Sequence, residues 1–313
     1  MSDDLSGRTL GRYRVLERLG RGGMAEVYRA YQPSLDRYVA IKVIYPHLAA
    51  DPRLQERFGR EARAVAALHH PNIVQVHDFD MQDNKAFMAM EFIGGPTLKA
   101  AITSLGRRGR LLPLPVVGQI VGQLADALAY AHEQRVIHRD VKPANVLLRR
   151  QLRAPAGRVA GEQPGAHMPP PLTDDELDEL LLSLRPGSAV LTDFGVARVL
   201  SESVEQTAAG TILGSPAYMA PEQGRGDRVG PASDIYSLGV VLYELITGRV
   251  PFDADTPFAI LIKHTQAPLP PPRGFRPDLP EALERVLFKA LAKDPAERFL
   301  DAGTTSFLVN LAP

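Results

Sequence analysis

The order of its elements predicts an α+β chain, with paired strands near the start and helices after them. Three patterns carry that reading. Tyr13 to Leu19 is an amphipathic stretch with strand character, and Glu26 to Tyr31 supplies a second strand across a glycine-rich turn. Leu54, Phe58, Val65 and Leu68 fall near helical spacing between Pro52 and Leu68. Pro115 to Gln134 is a long apolar-periodic helix, and Ser233 opens another that runs to about Thr247.

The turn between the first two strands is Leu19-Gly20-Arg21-Gly22-Gly23-Met24-Ala25-Glu26-Val27. Glycines there let a backbone approach phosphate with no Cβ in the way. A strand follows the turn, whereas a dinucleotide-binding loop should open a helix. The plain alternative is a hairpin turn and nothing more. Val39-Ala40-Ile41-Lys42 places a cation on the next strand. On the helix that follows, Glu61 lies close to the apolar stripe, where an unpaired carboxylate would be costly. The alternative is a solvated Glu among Glu56, Arg57, Arg60 and Arg63. Further on, His138-Arg139-Asp140-Val141-Lys142-Pro143-Ala144-Asn145 and Asp193-Phe194-Gly195 put a candidate base, a cation and two oxygen ligands in fixed order.

Together these runs resemble the protein kinase family, whose chemistry is mostly positioning and charge neutralisation around a loose transition state. The resemblance spans Leu19 to Phe299 and implies a two-lobed protein kinase fold. Residues 11–92 would form a small, mainly β lobe with one key helix, and 93–313 a larger, mainly α lobe. ATP would be the phosphoryl donor. Magnesium would be the ion, being a hard cation that takes few protein oxygens plus phosphate, with manganese as an alternative.

The resemblance also assigns roles. Asp140 would accept the substrate hydroxyl proton, Lys142 would steady the γ-phosphate, and Asn145 and Asp193 would hold metal. Lys42 would contact the α- and β-phosphates and pair with Glu61. Residues Leu19, Gly20, Arg21, Gly22, Gly23, Met24, Ala25, Glu26 and Val27 would cover the nucleotide, with Ala40 beneath it. In Met90-Glu91-Phe92-Ile93, Met90 would back the adenine pocket and the backbone from Glu91 to Ile93 would bond the adenine edge. Ordinary core packing of Met90 is compatible with that role. Ala25 departs from the pattern, which has a third glycine there; a small residue preserves the close approach. Lys142, two positions after Asp140, is the serine/threonine form.

Later runs resemble the family's supports. Ala220-Pro221-Glu222 matches its A-P-E motif, Asp234 its buried aspartate beneath the catalytic loop, and Arg298 the late arginine that pairs with the motif's glutamate. The activation segment would run from Val196 to Met219, with hydroxyls at Ser201, Ser203, Thr207, Thr211 and Ser215. Thr207 is the first choice for autophosphorylation and Thr211 the second. A phosphate there would pair with Arg139, and Ser215 would contact Asp140 and Lys142.

Asn145 and Asp193 lie much farther apart than the family's usual spacing, so 149–188 holds an insertion. Gln151 to Leu172 is rich in Pro, Gly and Ala, a composition that buries little. Thr173 to Leu184 reads as a short helix capped by Thr173, with Glu176 completing a capping box. Leu177, Leu180, Leu181 and Leu184 would share one face, docked either on the large lobe itself or on a partner. The proline cluster from Pro268 to Pro280 reads as an ordered surface loop, with a polyproline ligand as the alternative.

Composition excludes several classes. The 313 residues carry a formal net charge of +0, which points to no nucleic-acid or anionic-membrane partner. There are no cysteines, so no disulfide framework, which suits a reducing cytoplasm. No run is long and apolar enough to span a membrane. Met1-Ser2-Asp3-Asp4 lacks the basic and apolar regions of a secretory signal. The chain therefore reads as cytoplasmic, alone or as the cytoplasmic part of a longer membrane-anchored protein.

The function implied is a serine/threonine protein kinase acting on protein hydroxyls, with dimerisation through the small lobe a habit of relatives. Two rivals stand beside it. One is a pseudokinase or scaffold that binds nucleotide and signals through the insertion. The other is a small-molecule kinase of related fold, which the A-P-E segment disfavours.

Overall fold

The structure is a computed structural model that describes residues 4–23, 25–45, 52–82, 85–150, 172–194 and 215–303. Its contacts divide the chain into two compact units. The first comprises the described residues of 4–69, Val74–Gly95 and Arg150. The second comprises His70–Ile73, Pro96–Arg149 and the described residues from 172 onward.

The first unit is a six-stranded antiparallel sheet with one helix. Its strands are β1 (Thr9–Leu10), β2 (Tyr13–Arg21), β3 (Ala25–Gln32), β4 (Arg37–Ile44), β5 (Val76–Gln82) and β6 (Lys85–Glu91), in the order β1-β2-β3-β4-β6-β5. Consecutive strands joined by short turns pair antiparallel, as expected. Tyr28, Ala30, Ile41, Val43, Phe87 and Ala89 are buried on one face and form the unit's core. Helix α1 (Pro52–Ala66) packs on β5. Gly59, Ala62 and Val65 are buried, as is Leu68 just beyond the helix; Val65 and Leu68 belong to the expected stripe, and the side chains of Leu54 and Phe58 lie outside the described residues.

The second unit is mainly helical. Its elements are α2 (Leu98–Arg107), α3 (Leu114–Glu133), β7 (Val146–Leu148), α4 (Asp174–Leu182), β8 (Ala189–Leu191), α5 (Pro221–Arg225), α6 (Pro231–Thr247), α7 (Pro257–Gln266) and α8 (Glu281–Ala290). Every residue from Ser233 to Thr247 in α6 is buried, which makes α6 the central rod of the unit. It packs against α3 and α8. Gly239 permits the α8 approach, because a Cβ there would meet the Ala290 Cβ at 3.0 Å and Leu291 at 3.2 Å. Pro231 opens α6, and Gly248, at φ 77°, closes it in the left-handed conformation.

The inserted helix docks within its own unit. The Thr173 hydroxyl accepts from the Glu176 N–H at 3.3 Å, and Glu176 accepts from the Thr173 N–H at 2.9 Å, completing the expected capping box. Leu177, Leu181 and Leu184 are buried, while Leu180 is half-exposed. Arg108 forks onto Asp178 at 3.1 and 3.0 Å, Arg110 joins the same carboxylate, and the Ser104 hydroxyl donates to Asp174 at 2.7 Å. These bonds fasten α4 to the C-terminal end of α2. The proline cluster is an ordered loop: Tyr243 donates to the Pro270 carbonyl at 3.2 Å, and Arg276 to the Leu112 carbonyl at 2.9 Å. Among the described residues, no helix is long and apolar enough to cross a membrane.

Candidate active site

In the first unit, strand register gathers several of the expected nucleotide residues. Val27, Lys42 and Met88 are register partners, and so are Ala40 and Met90. Side chains alternate across a sheet, so these five share the face opposite the unit's core. Lys42 is 8 % exposed and Met90 5 %. Ile93 is buried, and Glu91 donates its N–H to the Gln75 carbonyl at 2.8 Å. Glu61 is half-buried on α1.

The glycine-rich turn is a hairpin tip. Gly20 lies opposite Val27 and Arg21 opposite Glu26, and the register slips between Arg18 and Gly20, so Leu19 is the extra residue of a bulge. The Gly22 N–H donates to the Ala25 carbonyl at 2.9 Å and closes the tip. The Glu26 side chain does not join Lys42: it lies on the core face, buried, accepting the Tyr28 hydroxyl at 2.6 Å. Sequence reasoning missed Tyr45, whose hydroxyl donates to the Gly22 carbonyl at 3.1 Å and receives the Arg21 Nε at 3.0 Å. Gly23 sits at the tip, and Met24 lies outside the described residues.

In the second unit, the catalytic-loop residues converge. The Lys142 ammonium stands 2.7 Å from Asp140 Oδ2. The Asn145 amide NH2 donates to Asp140 Oδ2 at 3.0 Å and to the Asp140 carbonyl at 2.8 Å. Both bonds orient the carboxylate and leave Asn145 Oδ1 as an oxygen for a cation. Lys142 also donates to the Ser215 hydroxyl at 3.2 Å, one of the two contacts expected of that serine.

The loop's backbone is held in an unusual shape. Arg139 has φ 69° and Asp193 φ 68°, both in the left-handed region that side chains seldom adopt. Asp234, fully buried, accepts the N–H groups of His138 at 2.8 Å and Arg139 at 2.7 Å, and lies 2.8 Å from His132 Nε2. His138 accepts the Asp140 N–H on Nδ1 at 3.2 Å and faces the Thr192 carbonyl with Nε2 at 2.9 Å, which assigns the proton to Nε2. Its ring packs on Phe194 at 4.4 Å. The Thr192 N–H donates to the Asn145 carbonyl at 2.9 Å, so the strand leading to Asp193 is tied directly to the Asn145 turn. A carboxylate and an amide oxygen suit a hard cation whose remaining ligands are phosphate and water.

Three further supports surround the loop. Arg298 reaches both oxygens of Glu222, at 2.7 and 2.8 Å, and the Ser233 hydroxyl adds 2.7 Å. Burial alone would raise the Glu222 carboxyl; the bonds from Arg298 and Ser233 outweigh it and hold the group below its ordinary value. Glu244, buried within α6, accepts the Tyr218 hydroxyl at 2.5 Å and the Lys99 ammonium at 2.8 Å. Gln223 spans two backbone groups, receiving the Ala220 N–H at 2.9 Å and donating to the Arg139 carbonyl at 2.9 Å. The Glu244 and Gln223 contacts were not foreseen. Their partners lie far apart in sequence, and neither leaves a local pattern. Gly195, Ser201, Ser203, Thr207 and Thr211 lie outside the described residues.

Comparison with known proteins gives the family and the fold. Residues 13–302 match the family described as protein kinase domain. Serine/threonine-protein kinase PrkC of Bacillus subtilis is 38 % identical over 292 residues, covering 93 % of this chain and 39 % of its own length. Serine/threonine-protein kinase Pkn1 of Myxococcus xanthus is 38 % identical over 298 residues, covering 95 % of this chain and 38 % of its own. The chain thus spans about two fifths of the length of these curated relatives. The crystal structure of the Mycobacterium tuberculosis PknI kinase domain superposes with a TM-score of 0.70 at 29 % identity, covering 100 % of both chains. The two-lobed fold expected from the sequence is therefore the fold of this chain, and the chain belongs to the protein kinase family.

Proposed function

We propose that the chain is a serine/threonine protein kinase that moves the γ-phosphoryl group of ATP to hydroxyls of protein substrates. The observation that carries this reading is the convergence of Lys142 and Asn145 on one carboxylate oxygen of Asp140, at 2.7 and 3.0 Å. With Oδ2 so engaged, Oδ1 of Asp140 serves as the proton acceptor. The substrate hydroxyl gives its proton to Asp140, its oxygen bonds to the γ-phosphorus, and the bond to the β,γ-bridging oxygen breaks to release ADP. Lys142 offsets negative charge on the transferring group. Lys42, paired with Glu61, steadies the α- and β-phosphates from β4, beneath the 19–27 hairpin. Met90 and the backbone from Glu91 to Ile93 receive adenine. A magnesium ion held by Asn145 and Asp193 would, when bound, neutralise charge between the β- and γ-phosphates.

The rival scaffold reading has little support. Each expected catalytic residue is present, and the named relatives are serine/threonine-protein kinases. An ATP-dependent, disulfide-free enzyme fits the cytoplasm.

The test is incubation of purified protein with Mg-ATP and a generic basic protein, followed by phosphosite mapping, with Asp140→Asn in parallel. Phosphate on serine or threonine that disappears in Asp140→Asn is expected, with Thr207 or Thr211 among the sites. ATP binding without transfer to either protein would overturn the reading in favour of a scaffold.

A further inference from the structure

We infer that Gln223 is a positioning residue for Asp140, acting through the peptide that joins Arg139 to it. The inference rests on reading Asp140 as the base. Arg139 stands at φ 69°, and a left-handed residue with a long side chain persists only where its surroundings hold it there. Its N–H is fixed by Asp234 at 2.7 Å, from the α6 side. Its carbonyl belongs to the peptide plane that leads into Asp140, and that oxygen receives the Gln223 NH2 at 2.9 Å. Rotation of this plane would swing the Asp140 Cα–Cβ bond, and with it the carboxylate that Lys142 and Asn145 must meet.

The orientation of the amide is determined by its neighbours. The Ala220 N–H needs an acceptor and finds Gln223 Oε1 at 2.9 Å, so the NH2 faces the Arg139 carbonyl. A flipped amide would set oxygen against oxygen and hydrogen against hydrogen. One side chain therefore ties the backbone at the start of the Ala220-Pro221-Glu222 run to the backbone beside the base. That run is anchored in turn by Glu222 and Arg298, so the base's peptide leans on a rigid corner of the unit.

Donor and acceptor ends can be separated by substitution. Gln223→Glu keeps an oxygen for Ala220 but loses the donor and sets a negative oxygen against the Arg139 carbonyl. Gln223→Lys keeps a donor for Arg139 and loses the Ala220 acceptor. Gln223→Ala loses both. The measurements are kcat, KM for ATP, KM for a peptide substrate and the thermal midpoint, with Asp140→Asn as control. We expect Gln223→Glu to lower kcat about 10- to 100-fold with both KM values within about twofold, the size of effect a slightly misplaced catalytic group produces. Gln223→Lys should recover most of that kcat while melting lower, and Gln223→Ala should show both losses. Wild-type kcat in Gln223→Glu, with Asp140→Asn inactive, would overturn the inference and leave the active-site reading intact. Should Gln223→Glu fail to fold, equal kcat in Gln223→Lys and Gln223→Ala would overturn it equally. Activity persisting in Asp140→Asn would instead remove the reading on which it rests.

Discussion

Arg298 clasps both carboxylate oxygens of Glu222, at 2.7 and 2.8 Å, with the two side chains 0 % and 3 % exposed. The guanidinium also donates to the carbonyls of Ala232 at 2.8 Å, Ala292 at 2.9 Å and Lys293 at 3.2 Å. A buried pair of this kind resists loss of one member more than loss of both. Arg298→Met should destabilise by about 3–5 kcal/mol, because an uncompensated carboxylate remains inside. The double variant Arg298→Met/Glu222→Met should recover part of that loss. Urea unfolding of the two single variants and the double variant decides the matter; strictly additive losses would show that the pair is not coupled.

His264 makes stability depend on mildly acidic pH. Burial and the nearby Lys293 charge push its imidazole down to about 4, against a weaker upward pull from the Ala217 carbonyl. Its Nδ1 is 2.9 Å from the Tyr236 hydroxyl and its Nε2 is 3.1 Å from the Ala217 carbonyl, an arrangement suited to the neutral ring. Below its unfolded value of 6.5, the unfolded chain takes up a proton that the folded chain refuses. Stability should therefore fall as pH drops from 6.5 toward 4, by about 2 kcal/mol at pH 5 from this group. His264→Gln should be less stable at neutral pH but should lose less on acidification. An equal loss in both proteins between pH 7.5 and pH 5, by urea titration, would contradict this.

Tyr218 and Lys99 share Glu244 unequally. The Tyr218 phenol is pushed well above its ordinary range, chiefly by burial and then by the Glu244 charge, so it remains a donor throughout the working range. Tyr218→Phe leaves a buried oxygen without that donor and should cost about 1–3 kcal/mol. Lys99, with its side chain 49 % exposed, contributes less, and Lys99→Met should cost about 1 kcal/mol or below. Thermal midpoints should fall in that order. The reverse order would mean that the ammonium, not the phenol, is what Glu244 requires.

The α4 helix should be separable from the stability of the rest. Leu181→Ala removes a buried side chain and should cost about 2–5 kcal/mol of α4 docking. Asp178→Asn weakens a half-exposed ion pair and should cost about 1 kcal/mol or less. Hydrogen exchange should show faster exchange across Asp174–Leu182 in Leu181→Ala, with α6 amides unchanged. Acceleration in α6 as well would mean that α4 unfolds only with the whole unit.

Much of this was legible in the chain because its signals are local. The capping box of Thr173 and Glu176, the strand pairing around the glycines and the apolar periods of α3 and α6 all depend on near neighbours. The order of Asp140, Lys142, Asn145 and Asp193 pointed to the candidate site because those residues sit in two short runs. The resemblance pointed to Asp234 and to the Arg298–Glu222 pair, but other bonds that hold the runs in place left no mark in the sequence. Gln223 reaches 84 positions back to Arg139, Lys99 reaches 145 forward to Glu244, and His132 reaches 102 forward to Asp234. Such pairs are created by helix packing, which no spacing rule records. Glu26 shows what a linear run leaves unsaid: its backbone pairs with Arg21 in the hairpin, while strand alternation turns its side chain to the core.

The extra segment leaves and re-enters a closed ladder. Val146, Leu147 and Leu148 pair with Leu191, Val190 and Ala189, and the Arg149 N–H donates to the Ser188 carbonyl at 2.7 Å. Its two ends therefore meet as neighbours, as they would in a hairpin of ordinary length. Chain added between fixed ends raises the closure entropy only slowly, by about 0.6 kcal/mol for each doubling. An experimenter can therefore graft a reporter between Arg150 and Leu172 at little entropic cost to the ladder beside Asp140.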